Sequence, residues 1–196
     1  MDKQLLELVK KLREETGMPI GKCVEALIAT NNDLEKAKEW LRKKGAELLS
    51  KKEATKTGQG IIGGYVHFNG RLGALVELRA ETDFVTQHSD FKKLAYDLAV
   101  HVATMMPQYI KKEDIPQEIL EAKKKEFLEE IGHDKPKDIQ EKILQAKLEK
   151  WFAEVCLLEQ PYVKDESKKV RDLIDECANK FGEKIEIARF VRLQAD

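Results

Sequence analysis

The chain has 196 residues, 42% hydrophobic and 36% charged, with 35 basic against 36 acidic side chains and a formal net charge of -1. This is the composition of a soluble globular protein with much charged helix surface, long enough for one sizeable domain or a small module plus a core domain. The balance excludes a global basic field that would draw the chain to nucleic acid, and no apolar run approaches the roughly 18 residues needed to span a membrane.

The opening MDKQLLELVKKLREETG lacks the order of a cleaved secretory signal and carries acidic residues that a transit peptide avoids. Cys23, Cys156 and Cys177 are odd in number, scattered and without CxxC spacing. They read as buried thiols in a reducing compartment, so the expected location is cytoplasmic.

In chain order, Leu5, Leu8, Val9 and Leu12 share one helical face, and Thr16-Gly17 ends that helix. Pro19 suits the start of a second helix carrying Val24, Leu27 and Ile28. Asn31-Asn32 makes the next break, and Asp33 is the natural N-cap of a third helix with Leu34, Ala37, Trp40 and Leu41, stopped by Gly45. Three helices in about 45 residues resemble a ubiquitin-associated module, assigned to residues 1–50. AELLSKKEATKTGQG, helical at its start, reads as the approach to a linker over residues 51–60.

From residue 61 the period changes. IIGGYVHF, Asn69-Gly70 and the alternation Leu72, Ala74, Val76, Leu78, Ala80 predict a hairpin with a half-buried second strand. Ser89 is the expected cap of a helix with Phe91, Leu94, Leu98, Val102 and Met105 on one face, ended by Pro107. Pro116 and Pro136 open two charged helices, LLEQPYVKD interrupts, and Val170, Leu173, Ile174, Cys177 and Phe181 form a last amphipathic helix stopped by Gly182. IEIARFVRL then has the content of a strand. A hairpin, a distant C-terminal strand and helices between them predict an α+β core over residues 61–196.

Motifs that suggest chemistry fail on context. Gly58-x-Gly60-x-x-Gly63 lacks the preceding strand and following helix that set a dinucleotide's pyrophosphate on a helix N-terminus. Gly21-Lys22 is a failed phosphate loop, with Gly17 one residue too close and Cys23 where a Ser or Thr binds magnesium. His67, His88, His101 and His133 are dispersed, so structural or surface roles are expected and no metal site. No nucleophile sits in an elbow context, and no cofactor is expected. The basic run Arg42, Lys43, Lys44, Lys51, Lys52 and Lys56 is broken by acids and lacks stacking aromatics, which favours a solvated surface over RNA binding.

One junction stands out. RAETDFVTQHSDF passes from strand to helix and places Phe84 and Val85 among polar residues. Phe84 is either a lid on the core or an anchor for another molecule, and the polar flanks favour the second.

ELRAETDFV with Phe91 is similar to the signature of elongation factor Ts, the family of exchange factors for the translational GTPase elongation factor Tu. LVKKLREETG with Ala26-Leu27, GIIGGYVHFNGRLGALVEL, KPKDIQEKI and LLEQPYVKD extend the resemblance along nearly the whole chain. It implies that Thr82, Asp83, Phe84 and Val85 enter the GTPase domain and disturb its Mg²⁺ and phosphate region, so that GDP leaves and GTP then displaces the factor. It also implies N-terminal docking by Arg13, Met18 and Ile20, although Met18-Pro19-Ile20-Gly21-Lys22 replaces the family's frequent Gly-Met-Met-Asp run. On this reading the partner is elongation factor Tu, the chain makes and breaks no bond and binds no nucleotide, and its single core copy points to a homodimer. The rival reading is a ubiquitin-associated-like adaptor or ribosome-associated binding module without exchange activity.

Overall fold

A computed structural model describes residues 3–51, 54–132 and 136–195. Lys52, His133 and the side chain of Lys51 lie outside the described parts. The first half carries helices α1 (Lys3–Thr16), α2 (Ile20–Ala29) and α3 (Leu34–Lys51), strands β1 (Gln59–Val66) and β2 (Leu72–Ala80), then helices α4 (Asp83–Gln87) and α5 (Ser89–Met105). The second carries α6 (Gln117–Ile131), α7 (Lys137–Val155), β3 (Pro161–Tyr162), β4 (Asp165–Lys169), α8 (Val170–Phe181) and β5 (Ile185–Gln194). The architecture is α+β, with a small antiparallel sheet packed with helices. Two compact units share these elements, one from residues 1–62, 77–95 and 172–188, the other from 63–76, 96–171 and 189–196.

In the first unit, α1 to α3 enclose their own core of Val9, Leu12, Met18, Cys23, Ala26, Leu27, Ala37 and Leu41. The breaks between them have local causes. Gly17 takes φ +67° and donates its N–H to the Arg13 carbonyl at 2.7 Å, closing α1. Asn31 and Asn32 take φ of 52° and 62°, a conformation that Asn tolerates better than most residues. Asp33 Oδ1 accepts the Lys36 N–H at 3.0 Å, the N-cap that its side chain predicts.

Gly45 does not stop α3, which continues to Lys51. A Cβ on Gly45 would lie 2.1 Å from Asn179 Oδ1 of α8. The glycine therefore marks a close approach of two helices rather than a helix end, and it accepts the cost of about 1 kcal/mol that glycine carries inside a helix.

The three-stranded sheet has the order β1-β2-β5, so the C-terminal strand sits beside the second strand of the hairpin. Ala195 donates its N–H to the Arg71 carbonyl at 2.8 Å, which places the end of β5 at the start of β2, antiparallel to it. Along β2, Ala74, Val76, Leu78 and Ala80 are buried while Leu75 and Arg79 are exposed, the alternation of a strand with one covered face. Gly60 lies in β1, where its Cβ position is 3.0 Å from the Leu78 carbonyl; strand, not helix, follows the glycines.

Ser89 is not the cap of α5. His88 is extended, its Nδ1 accepts the Asp90 N–H at 3.2 Å, and its carbonyl accepts the Lys92 N–H at 3.1 Å. The imidazole does what the sequence assigns to the hydroxyl, because α4 ends at Gln87 and leaves His88 as the hinge residue.

In the second unit Pro116 and Pro136 stand at the N-caps of α6 and α7. Phe127 of α6 lies under Lys123 and Lys147, at 4.9 and 5.3 Å from ring centroid to Nζ. LLEQPYVKD is more structured than an interruption, forming a single 3₁₀ turn at Leu157–Glu159 and the small β3–β4 hairpin. His101 is fully buried, and burial holds its pKa below the ordinary value, so it stays neutral. Its Nδ1 accepts the Val163 N–H at 3.2 Å, leaving Nε2 to donate to Gln160 Oε1 at 2.9 Å. Gln160 Nε2 in turn donates to the Glu154 carbonyl at 2.7 Å.

The Gly45 contact makes a prediction opposite to helix propensity. Gly45→Ala is expected to lower the melting midpoint although Ala is the better helix former by about 1 kcal/mol. An Asn179→Ala background removes the obstructing amide and is expected to reverse the loss. Thermal denaturation of the single and double variants reads both effects.

Candidate functional site

The strand β2 delivers the chain to the junction with Ala80 buried and Glu81 half-buried. The next residue, Thr82, is extended and occupies the N-cap of α4, yet its hydroxyl makes no capping bond. Instead the Thr82 hydroxyl donates to Glu183 Oε1 at 2.6 Å and the Thr82 N–H donates to Glu183 Oε2 at 3.0 Å. The exchange is reciprocal, since the Lys184 N–H donates to Glu81 Oε1 at 2.6 Å. Two short loops 101 positions apart in sequence thus hold each other by backbone-to-carboxylate bonds, which are stronger than neutral ones.

The five residues of α4 divide cleanly by exposure. Val85 is 1% exposed and Thr86 is also buried, with the Thr86 hydroxyl donating to the Asp83 carbonyl at 3.0 Å. Phe84 is 75% exposed, and Asp83 and Gln87 are exposed beside it. An aromatic ring set in solvent on a helix whose next residue is fully buried is displayed, not folded back as a lid. Asp83, Phe84, Gln87 and His88 line a shallow depression at this surface.

The end of α8 frames the other side. The Lys180 ammonium hydrogen-bonds the Asp90 carboxylate, and that bond holds the Asp90 carboxyl below its usual range against the opposing effect of burial. The Phe181 ring meets His88 edge-on, with centroids 4.9 Å apart. Thr82, Asp83, Phe84 and Val85 therefore have different situations, with Thr82 tethered, Asp83 and Phe84 presented, and Val85 forming the floor. Of the N-terminal candidates, Arg13 and Ile20 are exposed on α1 and α2, whereas Met18 belongs to the three-helix core.

Among the described residues no group of three His, Cys, Asp or Glu side chains is placed to hold a metal ion, and no helix is long and apolar enough to cross a membrane. Three of the histidines have specific neighbours, with His67 Nδ1 lying 2.8 Å from the Tyr65 hydroxyl, His88 capping α5 and His101 in its buried network. What the site offers is an exposed aromatic and an exposed carboxylate beside the buried Val85 and Thr86. Lys180, Phe181 and Glu183 were not legible as part of it. Their only sequence signal is that α8 ends there, and contact over 101 positions leaves no local periodicity to read.

Comparison with known proteins places the chain. The family model for elongation factor Ts matches residues 2–196. The elongation factor Ts of Thermotoga neapolitana is 50% identical over 189 residues, spanning 96% of this chain and 95% of that protein. That of Thermotoga maritima is 51% identical over 189 residues, spanning 96% and 94%, and that of Moorella thermoacetica is 45% identical over 188 residues, spanning 95% and 92%. The chain belongs to the elongation factor Ts family and is by that membership a translation elongation factor.

The contrast between neighbours in α4 is testable by stability alone. Phe84→Ala is expected to move the melting midpoint little, because the ring is already in water. Val85→Ala removes two buried methyl groups and is expected to cost about 2 kcal/mol by transfer and cavity terms. Denaturant unfolding of the two variants checks the order.

Proposed function

We propose that this protein binds elongation factor Tu in its GDP-bound form and promotes GDP release, with Phe84 as the inserted group and Asp83 acting on the Mg²⁺ region. The observation that carries the reading is the 75% exposure of Phe84 beside the buried Val85. A ring presented this way loses little on leaving the free protein's surface and gains about 1.5–3 kcal/mol on burial in a partner. If that burial is available only when the partner's magnesium and phosphate elements have moved, the gain is differential and shifts the partner toward its nucleotide-free state. A carboxylate brought near a Mg²⁺ shell competes with or repels the groups that hold the ion to the diphosphate. Linkage makes the effect mutual, so GDP weakens the factor's binding as much as the factor weakens that of GDP. GTP binding then displaces the factor, which itself forms and breaks no bond and binds no nucleotide.

Residues 1–50 serve as a docking module joined by residues 51–60 to the core of residues 61–196. Arg13 and Ile20 supply its contacts with the GTPase, and Met18 acts from beneath by supporting the turn that precedes α2. The site of action is the cytoplasm, where elongation proceeds.

The test is release of a fluorescent GDP analogue from elongation factor Tu. Phe84→Ala is expected to cut the stimulated rate at least tenfold, the effect of about 1.4 kcal/mol of lost differential stabilisation. Asp83→Ala is expected to slow release by an amount that depends on Mg²⁺ concentration. Undiminished stimulation by Phe84→Ala would remove Phe84 as the inserted group, and no stimulation by the full parent chain would make the protein an adaptor of the ubiquitin-associated type instead.

The core also has the makings of a homodimer. β1 and β5 are the two edges of the sheet, and Val66, Leu75, Val191 and Leu193 are exposed apolar side chains of its strands. A second copy covering these edges and side chains would satisfy backbone groups and bury apolar area at once. Light scattering at tens of micromolar protein is expected to give twice the chain mass; a clean monomer, alone and with the partner, refutes the dimer.

A further inference from the structure

We propose that Glu183, in the loop joining α8 to β5, is a positioning residue for exchange: its carboxylate sets the direction in which α4 presents Phe84. This rests on the exchange reading above and adds to it a residue outside the 82–85 segment.

The helix α4 is short. Five residues make little more than one turn, and so short a helix has no orientation of its own, because nucleation is unfavourable and few internal bonds follow. Its direction must come from outside. At its start the usual local device is unused, since Thr82 is a good N-cap residue whose hydroxyl makes no capping bond. Both donors of Thr82, hydroxyl and N–H, point instead at the two oxygens of Glu183, at 2.6 and 3.0 Å. A two-point grip fixes an angle where a single bond fixes only a distance. The reverse bond from the Lys184 N–H to Glu81, at 2.6 Å, blocks the remaining slide between the two loops. Phe84 follows Thr82 by two residues, so rotation about the Thr82 backbone swings the ring directly.

Loss of the grip leaves α4 folded on Val85 and Thr86 but free to sample directions, and only a fraction of molecules then present Phe84 correctly. The apparent affinity falls by that fraction while the maximal rate at saturating factor stays the same. A carboxylate that merely stabilised the fold would instead change the melting midpoint without this split.

The experiment measures stimulated release of a fluorescent GDP analogue as a function of factor concentration, for the full chain. Glu183→Ala is expected to raise the half-saturating concentration about tenfold with the maximal rate within about twofold of the parent. Glu183→Gln keeps one acceptor and its amide nitrogen cannot accept the Thr82 N–H, so an intermediate rise of about threefold is expected. Thr82→Val, which removes one of the two donors, is expected to match Glu183→Gln and supplies the test if Glu183→Ala folds poorly. In a Phe84→Ala background Glu183→Ala is expected to add nothing, because it acts through the ring. Unchanged half-saturation in Glu183→Ala, or in both Glu183→Gln and Thr82→Val, overturns the proposal, as does full additivity with Phe84→Ala. If Phe84→Ala loses stimulation while the Glu183 and Thr82 variants do not, only the positioning role fails. If Phe84→Ala itself keeps full stimulation, the insertion of Phe84 and the positioning role fall together, whereas no stimulation by the parent chain removes the exchange reading itself.

Discussion

At the C-terminal end of α8, a stretch of six residues meets α3, the turn after α1 and the segment from Glu81 to Asp90 that holds the candidate site. Asn179 lies against Gly45 of α3, and a Cβ on Gly17 would come within 3.4 Å of Lys180 Nζ. Lys180 pairs with Asp90, Phe181 meets His88, and Glu183 and Lys184 exchange bonds with Thr82 and Glu81. Helix packing brings the stretch there: Ile174 and Ala178 are buried, and burial pushes the Cys177 thiol up to about 12, which keeps it protonated and inert. The approach is close because α3 offers glycine at the crossing and α8 has Asn179 there. Gly182, at φ +69°, then ends α8 and turns the chain so that Glu183 faces the junction.

Most of the charged groups contribute far less. Pairs such as Lys22–Glu25 and Lys43–Glu39 are exposed neighbours on one helix, and such pairs are worth a few tenths of a kcal/mol. Carboxylates held by several donors are different. Glu159 is buried, which alone would raise its pKa, yet hydrogen bonds from Lys169 and Arg171 outweigh burial and hold it low. Glu183 is a half-buried acceptor of two bonds from one residue, where geometry rather than charge count matters. High charge content here is mostly solubility, with a few side chains used for geometry.

On the exchange reading, this distribution has a purpose. A protein that displaces elements of its partner must itself be stiffer than what it displaces, or the insertion energy is spent on its own rearrangement. Phe84 stands on Val85 and Thr86, which are buried, and between two loops tied by carboxylates. The exposed ring and the rigid floor are two requirements of one function, and five residues satisfy both by the period of a helix turn.

The sequence by itself determined what depends on near neighbours. The helix breaks at Gly17, Asn31-Asn32 and Gly182, the Asp33 cap, the proline starts of α6 and α7 and the alternation of β2 are all local steric or hydrogen-bonding preferences, and each is where its residue type predicts. Thr82 to Val85 stood out in the sequence as an aromatic among polar residues, and the family resemblance supplied the expectation that they meet a partner. Tertiary structure alone decided the rest. It separated Phe84 from Val85, turned Gly45 from a stop into a contact, gave the cap of α5 to His88 and made Thr82 a tether instead of a cap. In each case a group distant in sequence, or the competition between adjacent elements, outweighed a local preference of about 1 kcal/mol. The long-range contacts among these leave no period in the chain, because they exist only once α8 meets α3 and the loop before β5 meets the end of β2.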